Sequence, residues 1–132
     1  METKYCVVAV TGGASGLGEA TVRDLVEHGA KVSILDFDDQ KEEKLAAEFG
    51  DGVIFCKTDV TVENSVREAL DKTMDAFGAI HVAVNCAGVA TPMKVLGKNG
   101  AMPIDGFNKV VQINLVGTME VQRMILGRIL AG

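Results

Sequence analysis

The chain has 132 residues, the size of one domain with room for a buried core. It is 48% hydrophobic and 23% charged, a globular and soluble balance, and a net charge of -5 with no Lys/Arg cluster excludes a nucleic-acid surface. No apolar run approaches the ~20 residues of a membrane span, the N-terminus has no secretory pattern, and Cys6, Cys56 and Cys86, odd in number and without metal spacing, read as reduced thiols of an intracellular protein.

The elements follow in order. Residues 7–10 form a continuous apolar run bounded by Gly, as a doubly buried parallel strand should be. Residues 17–28 have helical spacing, with Leu17, Ala20, Val22, Leu25 and Val26 apolar, and Gly29 ends the helix. Residues 31–35 are a second strand. Asp38 or Asp39 caps a short helix to Phe49, closed by Gly50. Residues 53–55 are a third strand. Thr61 caps a helix to Phe77, closed by Gly78, and residues 80–84 are a fourth strand. Residues 86–104 read as a long loop with Pro92, Pro103 and three glycines. From about residue 105 to 130 the pattern is helical again and apolar almost all round, which predicts burial on most sides. Strands alternating with helices predict an α/β fold with a parallel sheet and right-handed crossovers. His28 reads as a helix C-terminal residue and His81 as a strand residue, both structural.

The turn between the first strand and first helix carries Gly12, Gly16 and Gly18. A helix start presents free N–H groups and a partial positive charge, which suits a phosphate, and glycines let the backbone come close to it. Asp36 stands about 20 residues on, at the end of the second strand, where a carboxylate accepts hydrogen bonds from ribose hydroxyls. Taken alone, Asp36 fits a turn cap equally. Asp59 and Asn85 end the third and fourth strands on the same edge, the edge where open α/β sheets bind ligands. Alone, Asp59 reads as the neighbour of a helix cap and Asn85 as a turn residue.

Thr11-Gly12-x-x-x-Gly16-x-Gly18, Asp59-Val60, Asn85-Cys86-Ala87-Gly88 and Asn114 in "VVQINLVGT" together resemble the short-chain dehydrogenase/reductase family. Cys86 stands where the family pattern has a second Asn. The resemblance implies a Rossmann-type doubly wound parallel sheet, strand order 3-2-1-4, as the first half of a single-domain enzyme. Residues 1–132 would be its NAD-binding domain, incomplete at the C-terminus. Cofactor contacts are implied at Thr11, Gly12, Ser15, Gly16, Leu17, Gly18, Asp36, Phe37, Asp59, Val60, Asn85, Cys86 (through its backbone), Ala87 and Gly88. Asn114 is implied as the one catalytic residue in the chain, and no metal is implied. The turn has no Lys or Arg, and Asp36 is followed by Phe37, so NAD is expected over NADP.

The family's catalytic Ser, Tyr and Lys find no match: the one tyrosine, Tyr5, is followed four residues on by Ala9. The expected activity is NAD-dependent oxidation of a secondary alcohol. The stretches "HVAVNCAGVA" and "INLVGTMEVQRMI" are similar to the group acting on 3-hydroxyacyl-CoA and hydroxysteroids. This chain would be the cofactor-binding half, and alone it would be inactive. The alternative is a non-catalytic dinucleotide-binding or interaction module. The resemblance further implies a small-molecule substrate, a homo-oligomer (tetramer or dimer) built through the 105–130 helix, no nucleic acid or membrane partner, and a cytoplasmic or mitochondrial matrix location.

Overall fold

A computed structural model describes residues 1–131, apart from the side chains at positions 42, 43 and 46. Five core elements alternate with helices: β1 (Val7–Thr11), α1 (Gly16–Glu27), β2 (Lys31–Asp36), α2 (Glu42–Phe49), β3 (Val53–Lys57), α3 (Glu63–Phe77) and β4 (Val82–Asn85). A short hairpin, β5 (Leu96–Gly97) and β6 (Gly100–Ala101), precedes α4 (Ile104–Val111), a π-helical stretch (Gln112–Gly117) and α5 (Thr118–Ala131). The four long strands are all parallel, in the order β3-β2-β1-β4. After β3 the chain crosses back over the sheet to place β4 beside β1. This is the first half of a Rossmann-type doubly wound sheet, whose ligand crevice opens at the carboxyl ends of the strands, where the order reverses.

Both faces of the sheet are buried, which explains the unbroken apolar strands. Val8, Val10, Val32 and Ile34 pack on one face with Val22 of α1 and Leu45 of α2. Ala9, Leu35 and Cys56 pack on the other with Leu70 of α3 and Val121 and Ile125 of α5. The alternation of Val8, Ala9 and Val10 between the two clusters is the period of two expected of a strand. Gly29, Gly50 and Gly78 follow their helices with φ of 84°, 67° and 80°, so the helix stops read from the sequence are right.

Four details differ from the sequence expectations. The fourth strand starts at Val82, not at residue 80. Nδ1 of His81 accepts the Val7 N–H at 2.9 Å, while the His81 N–H donates to the Val7 carbonyl at 2.9 Å. The imidazole thus takes the place of a strand carbonyl, and the regular ladder begins one residue later. Thr61 does not cap α3. Its N–H and hydroxyl both turn back to Oδ1 of Asp59, and Val62 occupies the cap position without a side-chain bond. The 86–104 loop contains the β5–β6 hairpin. The last helix is continuous but widened through the π stretch, and it is not buried all round: Leu115, Met119 and Leu130 are 66%, 62% and 85% exposed.

Candidate functional site

The carboxyl edge gathers the glycine-rich turn, the ends of β2, β3 and β4, and one face of the last helix. They enclose a cleft of about 810 Å³. Each glycine of the turn has its own steric reason. Gly12 has φ of 64°, and a Cβ there would stand 2.8 Å from the Ala87 nitrogen and 2.9 Å from the Cys86 carbonyl carbon. The turn therefore presses directly on the end of β4. Thr11 fastens that contact: its hydroxyl oxygen accepts the N–H groups of Cys86 and Ala87, both at 3.1 Å, and its carbonyl also accepts the Cys86 N–H at 3.1 Å. A Cβ on Gly18 would collide with the Gly12 carbonyl, so this glycine lets α1 start against the strand. Gly16 differs. It has φ of 56°, yet a Cβ there would meet nothing within 4 Å. Its surroundings are open space at the wall of the cleft.

Asp36 is held from two sides. The Ala14 N–H, inside the turn, donates to Oδ2 at 3.0 Å, and the Asp38 N–H donates to Oδ1 at 3.0 Å. Two fixed N–H donors orient the carboxylate and leave each oxygen a further lone pair. Asp36 is therefore a turn brace and a cleft-lining anion at once. Phe37, next to it, is 65% exposed, and Nζ of Lys57 stands 5.5 Å above its ring. Lys57 is also bonded to Asp39 at 3.0 Å, and that hydrogen bond holds the Asp39 carboxyl below the usual carboxylate range. Lys41 pairs with Asp38 at 3.8 Å. The cations nearest the end of β2 thus already have acidic partners.

Asp59 ends the loop after β3. Its Oδ1 accepts the Thr61 N–H at 2.9 Å and the Thr61 hydroxyl at 2.6 Å, and its own N–H donates to the Ser65 hydroxyl at 2.8 Å. Val60 packs against the last helix at Gly117, where a Cβ would come 2.7 Å from Cγ2 of Val60. Asn114 sits in the π stretch. Its amide makes a reciprocal pair with Val89: Oδ1 accepts the Val89 N–H and Nδ2 donates to the Val89 carbonyl, both at 2.8 Å. The Thr118 hydroxyl donates to the Asn114 carbonyl at 2.7 Å. This pairing ties the loop after β4 to the helix.

Of the residues expected from the sequence, Gly12, Ser15, Gly16, Leu17, Gly18, Asp36, Phe37, Asp59, Val60, Cys86, Ala87 and Gly88 all line the one cleft. Thr11 is buried behind the turn and acts on β4 rather than on the cleft. Asn85 lies outside the lining, with its amide 3.4 Å from Oε1 of Gln122. Asn114 lines a neighbouring recess of about 530 Å³, walled by apolar side chains such as Met93, Met102, Phe107 and Val110. Val89 borders both spaces. Sequence reasoning missed Thr58, Lys109, Gln112 and Ile113, which complete the cleft. Lys109 and Gln112 carry no local signal, because polar residues on a helix ordinarily read as its solvated face.

A half Rossmann sheet with a glycine turn and an acid at the second strand end defines a dinucleotide-type cleft. The sequence pattern of the family described as short chain dehydrogenase matches residues 6–132, and the chain belongs to that family. It is 44% identical over 126 residues to "3-hydroxyacyl-CoA dehydrogenase type-2" of Drosophila melanogaster, covering 94% of this chain and 49% of that protein. It is 40% identical to the Homo sapiens protein of the same name, covering 94% and 48%. Among solved structures, the 3-hydroxyacyl-CoA dehydrogenase type-2 of Mycobacterium avium superposes with a TM-score of 0.86 at 33% identity, over 95% of this chain and 50% of that one. A 3-ketoacyl-(acyl-carrier-protein) reductase from Brucella melitensis, complexed with NADH, gives 0.84 at 28%, over 93% and 50%. The chain spans about half the length of the curated relatives it matches.

Proposed function

We propose that the cleft binds NAD and that these residues are the cofactor-binding half of an NAD-dependent short-chain oxidoreductase. The observation that carries this reading is the joining of Asp36 to the turn: one side of the carboxylate holds the Ala14 N–H, and the rest faces the same cleft as Gly16. The pyrophosphate would lie over Gly16 and the start of α1, where a side chain has been left out. Asp36 would accept from the adenosine ribose hydroxyls, and the base would lie toward Val60 and Ile113. The nicotinamide end would run along residues 86–89 toward Asn114. Bound there, the cofactor supplies hydride acceptance from a secondary alcohol.

What this chain contributes is binding and orientation. Thr11 and Gly12 hold the end of β4 against the turn, and the amide pair of Asn114 fixes the loop at Val89. The proton-handling Ser, Tyr and Lys are proposed to lie outside residues 1–132. The whole protein would act on a small secondary alcohol or ketone of the 3-hydroxyacyl-CoA or hydroxysteroid class, as a homo-oligomer in the cytoplasm or mitochondrial matrix. Among the described residues no helix is long and apolar enough to cross a membrane.

NAD is favoured over NADP by charge. A 2′-phosphate beside Asp36 would set like charges about 4 Å apart, worth ~1 kcal/mol in water and ~4 kcal/mol at an effective dielectric near 20. Neither Lys57 nor Lys41 is free to offset it. Calorimetric titration should give at least about fivefold tighter binding of NAD, the lower end of that range. D36S should narrow the gap. Equal or tighter binding of NADP by the unaltered chain would overturn the assignment.

A further inference from the structure

The cleft is lined by two acids, Asp36 and Asp59, and by one basic side chain, Lys109. Most cations of the chain have partners: Arg23 with Glu48, Lys57 with Asp39, Arg123 with Glu120, Arg128 with Asp71. Among the described residues Lys109 has no ion pair and no hydrogen bond from its ammonium group. It is exposed and stands on α4, one helical turn before Ile113, which in turn precedes Gly117 by four residues. Residues four apart share a helix face. Gly117 fixes that face against Val60, so Ile113 continues the apolar wall beyond Val60 and Lys109 forms its outer rim, with Gln112 beside it.

Resting on the dinucleotide reading above, we propose that Lys109 is a specificity-determining residue that recognises the base. With the pyrophosphate on the turn and the ribose on Asp36, the end of the cleft between Val60 and Ile113 remains for the base. There Asp59 has Oδ1 occupied by Thr61, while Oδ2 has no partner among the described residues. An open carboxylate oxygen is an acceptor and a free ammonium is a donor. A 6-aminopurine offers the complement, an N–H₂ donor beside ring-nitrogen acceptors. Lys109 and Asp59 thus bracket adenine by charge while Val60 and Ile113 sandwich its faces.

The test is K109M, with K109R as the charge-retaining variant, titrated by NMR with NAD, ADP and UDP. Lys109 is exposed and bonded to nothing, so circular dichroism should match the unaltered chain. K109M should weaken NAD and ADP by about three- to tenfold, a charge-assisted bond discounted for exposure. UDP affinity should hold, and K109R should recover most of the loss. An equal fall for ADP and UDP would put Lys109 on the phosphates and overturn the inference, as would a loss under twofold. If the unaltered chain binds no NAD, the nucleotide reading fails and this inference with it. If the chain binds NAD and K109M is silent, only the inference fails.

Discussion

Gly16 and Gly18 stand two residues apart in the same turn and do different work. A Cβ at position 18 meets the Gly12 carbonyl, so G18A should lower stability by ~1–3 kcal/mol, read as a lower melting temperature. Position 16 has room for a side chain. There G16V should cost only the ~1–2 kcal/mol of a left-handed backbone and leave far-UV circular dichroism largely intact. It should still abolish NAD binding, because the side chain would project where the pyrophosphate is placed. Retention of binding by G16V would move the phosphate elsewhere. His28 gives a prediction about pH. Its ring nitrogen lies 2.8 Å from the Asp24 carbonyl oxygen and 3.6 Å from the Asp24 carboxylate, and these raise its pKa above the ordinary value. A raised folded-state value means that protonation favours the fold. The contribution is full below about 6.5 and fades as pH rises through the folded-state value. An NMR titration of His28 should therefore show a midpoint above about 6.5, and one at or below it would contradict the Asp24 contacts.

Among the elements, the joint between the loop after β4 and the last helix is the most exposed to test. The Asn114 amide copies a ladder pair with Val89, so N114A should cost ~0.5–1.5 kcal/mol, since water can replace the lost partners at an exposed site. Hydrogen exchange at the Val89 amide should accelerate while Val8, Val10 and Ile34 stay protected. An unchanged rate at Val89 would mean that the pair holds nothing in place. The main sheet and its order were legible in the sequence because doubly buried strands are continuous apolar runs closed by glycines. Asp36, Asp59 and the turn were legible because strand ends and glycine spacing fix them locally. The errors arose where a distant partner decides. Nothing near position 81 says that its ring will accept the Val7 N–H, and nothing near Thr61 says that Asp59 will draw its hydroxyl away from the helix. The β5–β6 hairpin has two residues per strand, too few for a period of two to register. Lys109 joins the cleft only because Gly117 packs on Val60.

For the whole molecule, the last helix and the open edge of β4 dominate. Leu115, Met119, Leu126 and Leu130 leave an apolar face uncovered, and β4 ends the sheet with one unpaired side. Exposed edges and apolar patches promote association, so light scattering on a protein of these 132 residues should show concentration-dependent oligomers. A strict monomer at micromolar concentration would contradict this. The same protein should produce no NADH from a hydroxyacyl or hydroxysteroid substrate. General acid–base help is worth ~10²–10⁴-fold, and Tyr5 precedes β1, a strand's length from the cleft and with no lysine four residues on. Turnover free of contaminating enzyme would show that other residues perform the chemistry. The central claim is where the nucleotide sits, and amide chemical-shift mapping during an NAD titration of ¹⁵N-labelled protein tests it most directly. The account predicts saturable shifts at Ala14, Gly16, Leu17, Gly18, Asp36, Val60, Cys86 and Gly88, all absent in G16V. Shifts confined to the recess around Met93, Met102 and Phe107, or none at saturating NAD, would contradict it.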